Sequence, residues 1–161
     1  MKHSSEAAVL TDLILEVFRL NGQLLIAGDQ LTKPLGLTSA RWQVLGAIDL
    51  AGHPMTVAQI SRRMGVSRQS VQRIANDLVD LGFVAFEENP DHVRAKLIIP
   101  TAKGREALKR ISAIQIEWSN ALAKGTDAAR LIETVELLRA LQVRCETTET
   151  AAMNAEMPSD A

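Results

Sequence analysis

Two helix-start signals separated by a single glycine constrain this chain more than any other feature in it. Thr56-Val57-Ala58-Gln59 has the spacing of a capping box, in which the threonine hydroxyl and the glutamine side chain satisfy each other's free backbone amides. Met55 and Ile60 stand on either side of it at the positions of a hydrophobic staple. The helix begun there is short, because Gly65 supplies the left-handed residue that closes it. Val66-Ser67 starts the next helix at once, with Ser67 as its cap and Val66 and Val71 at staple spacing. Two capped helices across one glycine turn predict a helix-turn-helix.

The second of these helices, residues 67–81, has two unlike faces. At 100° per residue, Val71, Ile74, Ala75, Leu78 and Leu81 fall on one side, and Arg68, Gln69, Gln72, Arg73 and Asn76 on the other. Gly82 ends it. Residues 83–87 then have strand character, 88–92 form a turn around Pro90, and 93–99 form a return strand. Alternation in that strand sets Arg94 and Lys96 on one face and Ala95, Leu97 and Ile99 on the other. A hairpin directly after a helix-turn-helix is the order of a winged helix.

Long helices flank this unit. Residues 11–33 carry Leu13, Ile14, Val17, Phe18, Leu24, Leu25 and Leu31 at three- and four-residue steps, and Pro34 and Gly36 end the run. Thr38 caps a second helix that reaches about Ala51, with Leu37 and Trp42 at staple spacing. After the hairpin come helices over 101–124 and 127–145, parted by Gly125. The tail, 146–161, holds small, polar and acidic residues with two methionines and is expected to be flexible.

Composition excludes several classes. With 161 residues, 47% apolar and 23% charged, the chain is long enough for a core of its own. A single cysteine and three scattered histidines exclude a disulfide framework and the usual closed zinc sites. The start carries Glu6 and Asp12 and no basic-then-apolar leader, and no apolar run approaches a membrane span, so a cytoplasmic protein that does not enter membranes is expected. The net charge of −1 hides a polarised molecule. Residues 56–110 hold ten basic and six acidic side chains, a net of +4, which leaves −5 elsewhere. Residues 62–73 contain four arginines and no acid, a local footprint for a phosphate backbone.

In their order and spacing, several short runs resemble the MarR family of winged helix-turn-helix transcriptional regulators. They are Leu37-Thr38-Ser39-Ala40-Arg41-Trp42-Gln43-Val44-Leu45, Met64-Gly65-Val66-Ser67-Arg68-Gln69-Ser70-Val71, Leu81-Gly82-Phe83-Val84, Arg94-Ala95-Lys96 and Thr101-Ala102-Lys103-Gly104, together with 56–60 and Pro90. The resemblance covers residues 37–104 and implies a mainly α fold with a small β-hairpin wing and N- and C-terminal dimerisation helices. It implies a winged helix-turn-helix DNA-binding domain at 37–100, and a helical dimerisation region at 5–33 and 101–145 whose helices interlock in a homodimer. The wing departs from the family pattern. His92 stands where the family has the aspartate of an Asp-x-Arg motif, Phe86 where it has a strand arginine, and Pro100 where it has leucine. Arg94 keeps the second half of the motif, and Asp91 is one residue out of register. Such a wing is either held differently or contributes less to DNA binding.

A recognition helix enters the major groove with its N-terminal turns leading. Ser67, Arg68, Gln69, Ser70, Gln72 and Arg73 are then the residues for bases and phosphates: Arg73 and Gln69 for base edges, and Arg68, Ser70 and Thr38 for phosphates. Asn76 is a weaker candidate, and Asp77 and Asp80 should face away. Arg94 suits a narrow minor groove, with Lys96 on a phosphate beside it. The resemblance also implies a small aromatic or anionic effector held near Phe18, Arg19, Asn21, Arg41 and Trp42. Phe18 and Trp42 read rather as core, and Arg19 and Arg41 either as contacts to an anionic ligand or as solvated charges. Cys145 reads as helix packing, and no cofactor or metal is expected. No phosphate loop, nucleophile elbow or metalloprotease motif is present, which argues against an enzyme. The expected function is a sequence-specific DNA-binding regulator, a ligand-responsive repressor acting as a homodimer on a near-palindromic operator. The alternative is a winged-helix protein–protein interaction module.

Overall fold

The computed structural model describes residues 4–92 and 94–155. They divide into two units, Met1–Glu117 and Trp118–Ala161. Helix α1 (Ser5–Thr32) starts well before the apolar stripe that predicts it. Its cap is Ser4, whose hydroxyl accepts the Ala7 amide at 3.2 Å. The Glu6 carboxyl in the first turn is held below the usual carboxylate range by the backbone amide there and by the Ser4 and Ser5 hydroxyls. Caps act on free amides, which a stripe beginning at Leu13 does not register. A single 3-10 turn, Lys33–Leu35, and Gly36 at φ 72° end the helix.

Helix α2 (Ser39–Ala51) is capped by Thr38, as its sequence predicts, and by α1 as well: the Asp29 carboxylate accepts the Ser39 amide at 2.6 Å. Gly28 makes that approach feasible. A Cβ there would stand 2.5 Å from Ser39 Oγ, so a side chain would push α1 off α2. Beside it, the buried Thr32 hydroxyl donates to the Gly28 carbonyl at 2.8 Å.

Helices α3 (Val57–Met64) and α4 (Arg68–Asp80) form the helix-turn-helix. The capping box is complete, with the Gln59 side chain accepting the Thr56 amide at 2.7 Å, and Gly65 sits at φ 64°. Val44, Leu45 and Ile48 of α2 pack into one core with Ile60 of α3 and Val71, Ile74, Ala75 and Leu78 of α4. Each fully buried aliphatic side chain contributes about 1.5–3 kcal/mol. Leu81, predicted on the same face, is the exposed C-cap residue instead.

The wing is a three-stranded antiparallel sheet in the order β1-β3-β2, formed by β1 (Met55–Thr56), β2 (Val84–Glu87) and β3 (Leu97–Pro100). Two features correct the sequence reading. Strand β1, a two-residue segment with no periodicity to detect, pairs Met55 with Ile98 and Thr56 with Leu97. Strand β3 begins at Leu97 and not at 93, so Arg94 and Lys96 lie in the loop before it and residue 93 lies outside the described residues. Alternation does not carry through a loop, and the side chain fully buried in β3 is Ile98, on the face opposite Leu97 and Ile99.

Helix α5 (Ala102–Ala123) is anchored at its start to the end of α4. The Thr101 hydroxyl donates to the Gly82 carbonyl at 2.7 Å and accepts the Gly104 amide at 3.1 Å. The Lys103 ammonium donates to the Leu81 carbonyl at 2.7 Å and lies 4.4 Å from the Phe83 ring centroid. A Cβ at Gly104 would fall 2.1 Å from the Phe83 carbonyl oxygen, so this junction admits only glycine. The run Thr101-Ala102-Lys103-Gly104 is therefore a clamp between α5 and α4.

In the second unit, α6 (Ala128–Ala155) runs through residues 146–155, which the composition suggested would be flexible. That stretch is rich in alanine and glutamate, which favour helix. The Thr147 and Thr148 hydroxyls donate back to carbonyls of the preceding turn. Residues 156–161 of the expected tail lie outside the described residues. Cys145, expected to pack, is exposed.

Candidate nucleic-acid interface

The polar face of α4 is held open from both sides of its N-terminus. The Ser67 hydroxyl accepts the Ser70 amide at 3.1 Å, and the two hydroxyls lie 2.9 Å apart. Across the turn, the Ser61 hydroxyl donates to the Val66 carbonyl at 2.6 Å. With Val71, Ile74, Ala75 and Leu78 buried, helical periodicity leaves Arg68, Gln69, Gln72, Arg73 and Asn76 exposed together.

Those five side chains line an open groove of about 880 Å³. Its remaining lining is Thr56, Val57 and Ala58 at the start of α3, and Phe86, Arg94, Ala95 and Lys96 of the wing. The structure thus brings together six residues expected at DNA: Arg68, Gln69, Gln72, Arg73, Arg94 and Lys96. Thr38, Ser67 and Ser70 do not line the groove; Thr38 caps α2, its hydroxyl accepting the Arg41 amide at 3.3 Å. Thr56, Val57, Ala58, Phe86 and Ala95 also line it without having been expected at DNA, and the capping box at Thr56 and the departure from the family arginine at Phe86 are the local signals that bear on them.

Among the described residues, no acid lines the groove. Among the described residues, Arg68, Arg73, Arg94 and Lys96 make no ion pair, so four positive charges face the opening unneutralised. Gln69 has no hydrogen-bond partner among the described residues, whereas Gln72 donates to Asn76 at 2.9 Å along the helix. A free arginine can bridge O6 and N7 of guanine, and a free glutamine N6 and N7 of adenine. Arg73 and Gln69 are therefore unencumbered for base edges, while Gln72 and Asn76 present a joined pair of amides.

The wing loop has its own fastening. The Asn89 carboxamide donates to the Ala95 carbonyl at 3.0 Å and accepts the Asp91 amide at 3.1 Å. Phe86, where the family pattern has an arginine, is half-buried and packs on the core while its exposed part faces the groove.

The residues expected around an effector are differently engaged. Phe18 is 67% exposed and so is not core within this chain, and Asn21 is exposed. Arg19 pairs with Glu16 one turn earlier on α1. Trp42 is half-buried against the core, and Arg41, partly exposed, pairs with Asp77 of α4 at 3.1 Å. Asp77 does not line the groove; its carboxylate is turned to Arg41 of α2. Among the described residues there is no group of three His, Cys, Asp or Glu that could hold a metal, and no helix long and apolar enough to cross a membrane.

Comparison with known proteins places this geometry. Residues 35–95 match the sequence model of the MarR family. An uncharacterised protein of Mycobacterium tuberculosis is 39% identical over 146 residues, covering 91% of this chain and 95% of that one. An uncharacterised HTH-type transcriptional regulator of Mycobacterium leprae is 31% identical over 115 residues, covering 71% of this chain and 76% of the relative. Among solved structures, the Mycobacterium tuberculosis transcriptional regulator MosR in complex with DNA superposes with a TM-score of 0.69 at 26% identity, covering 82% of this chain and 96% of that one.

Proposed function

This chain belongs to the MarR family of transcriptional regulators, and on that premise we propose that it is a sequence-specific double-stranded DNA-binding protein acting as a homodimer on a near-palindromic operator. One observation carries the reading: an acid-free groove in which the unpaired Arg68, Arg73 and Gln69 of α4 meet Arg94 and Lys96 of the wing. In the proposed mechanism α4 enters the major groove, Arg73 and Gln69 read base edges, and Arg68 neutralises a phosphate. Arg94 reaches the adjacent minor groove, where a narrow width favours arginine. Two copies would place two such helices on half-sites about one turn (10–10.5 bp) apart. The homodimer is supported by the apolar residues that α1 leaves exposed, Phe18, Leu20, Leu24 and Ile26 among them. The repressor role and its release by a small aromatic or anionic effector rest on the family resemblance.

Selection of bound duplexes from a random library tests this. A two-fold symmetric motif is expected. The Arg73→Ala variant should keep its fold and lose about 1–3 kcal/mol of discrimination at one base pair in each half-site. A folded, dimeric protein that enriches no motif, and whose weak DNA binding does not respond to salt, would instead be an interaction module.

A further inference from the structure

The β2–β3 ladder ends at the Glu87–Leu97 pair, and residues 88–92 and 94–96, the described part of the connection, make no ladder bonds. Arg94 and Lys96 both lie in that stretch, on either side of Ala95. A loop of this length would leave two long cationic side chains without fixed origins. What ties it is Asn89, and the ties run through both ends of one carboxamide. Its Nδ2 reaches across to the Ala95 carbonyl at 3.0 Å, and its Oδ1 accepts the Asp91 amide at 3.1 Å. Its own carbonyl accepts the His92 amide at 3.1 Å, and the His92 carbonyl accepts the Ala95 amide at 3.0 Å. The outgoing and returning limbs are thus joined through Asn89 and Ala95, the residue that separates the two cations.

We propose that Asn89 is the positioning residue of the wing, its carboxamide fixing the height and direction at which Arg94 and Lys96 meet DNA. The inference rests on the DNA-binding reading above and deepens it. A carboxamide suits the task because it is both donor and acceptor: aspartate has no donor for the Ala95 carbonyl, and alanine has neither group. It is also uncharged. An ion pair holding the loop would neutralise the very guanidinium the wing has to present, whereas Asn89 leaves both cations free for phosphate or minor groove. This accounts for a wing that lacks an acid at His92 and still keeps Arg94 unpaired among the described residues.

The test is a double-mutant cycle on the full chain, comparing Asn89→Ala, the pair Arg94→Ala with Lys96→Ala, and all three together. The probe is the duplex the parent protein selects, or a mixed-sequence duplex at low salt where none is selected. Asn89→Ala removes no charge, yet it should weaken binding about tenfold and flatten the salt dependence toward that of the Arg94/Lys96 variant, whose slope falls by about 2. In the Arg94/Lys96 background it should change nothing further. Backbone order parameters at residues 94 and 96 of the free protein should drop from rigid values of about 0.85 toward 0.6 in Asn89→Ala. Equal losses in both backgrounds, or an unchanged salt slope, would make Asn89 a plain turn residue and overturn the proposal. So would unchanged order parameters, whatever DNA does. A parent protein that binds neither duplex overturns the DNA-binding reading itself, and the positioning role with it.

Discussion

The winged-helix body and the first helix place their apolar residues in opposite ways. Between Leu37 and Ile111, side chains from α2, α3, α4, the sheet and α5 close over one another, and Val44, Leu45, Ile60, Val71 and Ile98 are fully buried. Along α1 the buried residues are Gly28 and Thr32, while Val9, Ile14, Leu15, Phe18, Leu20 and Ile26 all stand exposed. One region buries its hydrophobic side chains among its own elements; the other leaves a stripe of apolar side chains exposed. Exposed apolar surface on that scale marks an interface. The body therefore carries the fold and the groove along α4, and α1 carries the exposed apolar stripe on which the proposed self-association rests.

The contrast can be broken most severely inside the body. Leu45→Ala should cost about 2–5 kcal/mol, from lost burial and the cavity left behind. Gly104→Ala should be comparably damaging, because the added Cβ meets the Phe83 carbonyl at 2.1 Å. Denaturant unfolding at fixed protein concentration measures both, and a change below about 1 kcal/mol would mean the body is looser than its burial implies.

A second experiment addresses α1. Phe18→Asp with Leu24→Asp should weaken self-association at least about 100-fold, equivalent to about 2.7 kcal/mol, while the monomer keeps its helical content. Sedimentation equilibrium and circular dichroism read the two quantities separately. Loss of helix together with association would show that the body needs its partner to fold, and the comparison would fail.

The smallest effect lies within the body, between two of its helices. Arg41 on α2 and Asp77 on α4 are 29% and 34% exposed, so removing the pair with Arg41→Ala should cost only about 0.2–1 kcal/mol, less at high salt. A double-mutant cycle with Asp77→Asn isolates that coupling. A larger value would make the pair a strut of the recognition helix.

Much of the body was legible in the residues because its signals are local. Thr56 and Gln59, Ser67 and Ser70, and Gly65 interact within one turn, and the buried face of α4 follows from spacing alone except at Leu81, where the helix has already ended. The groove was half legible. Its α4 side could be read from periodicity, but Thr56, Val57, Ala58 and Phe86 join it only because the wing folds back beside α3. Arg41 shows the same limit from the other direction. Its partner Asp77 is 36 residues away, so nothing beside it in the chain reveals whether it is solvated, paired or waiting for a ligand.

Where helices start and stop between residues 38 and 82, which face of α4 is polar, and the gathering of positive charge at 56–110 all follow from the residues alone. Those properties depend on bonds and spacings a few residues long, whose energies do not require the rest of the fold. Tertiary structure alone decided that β1 exists, that Ile98 and not its neighbours faces the core, and that Arg94 and Lys96 rise from a loop tied by Asn89. Strand register and loop geometry are set by pairing partners distant in the chain. A shift of one residue there exchanges the two faces of a strand at almost no local cost, so only the packed core selects between them.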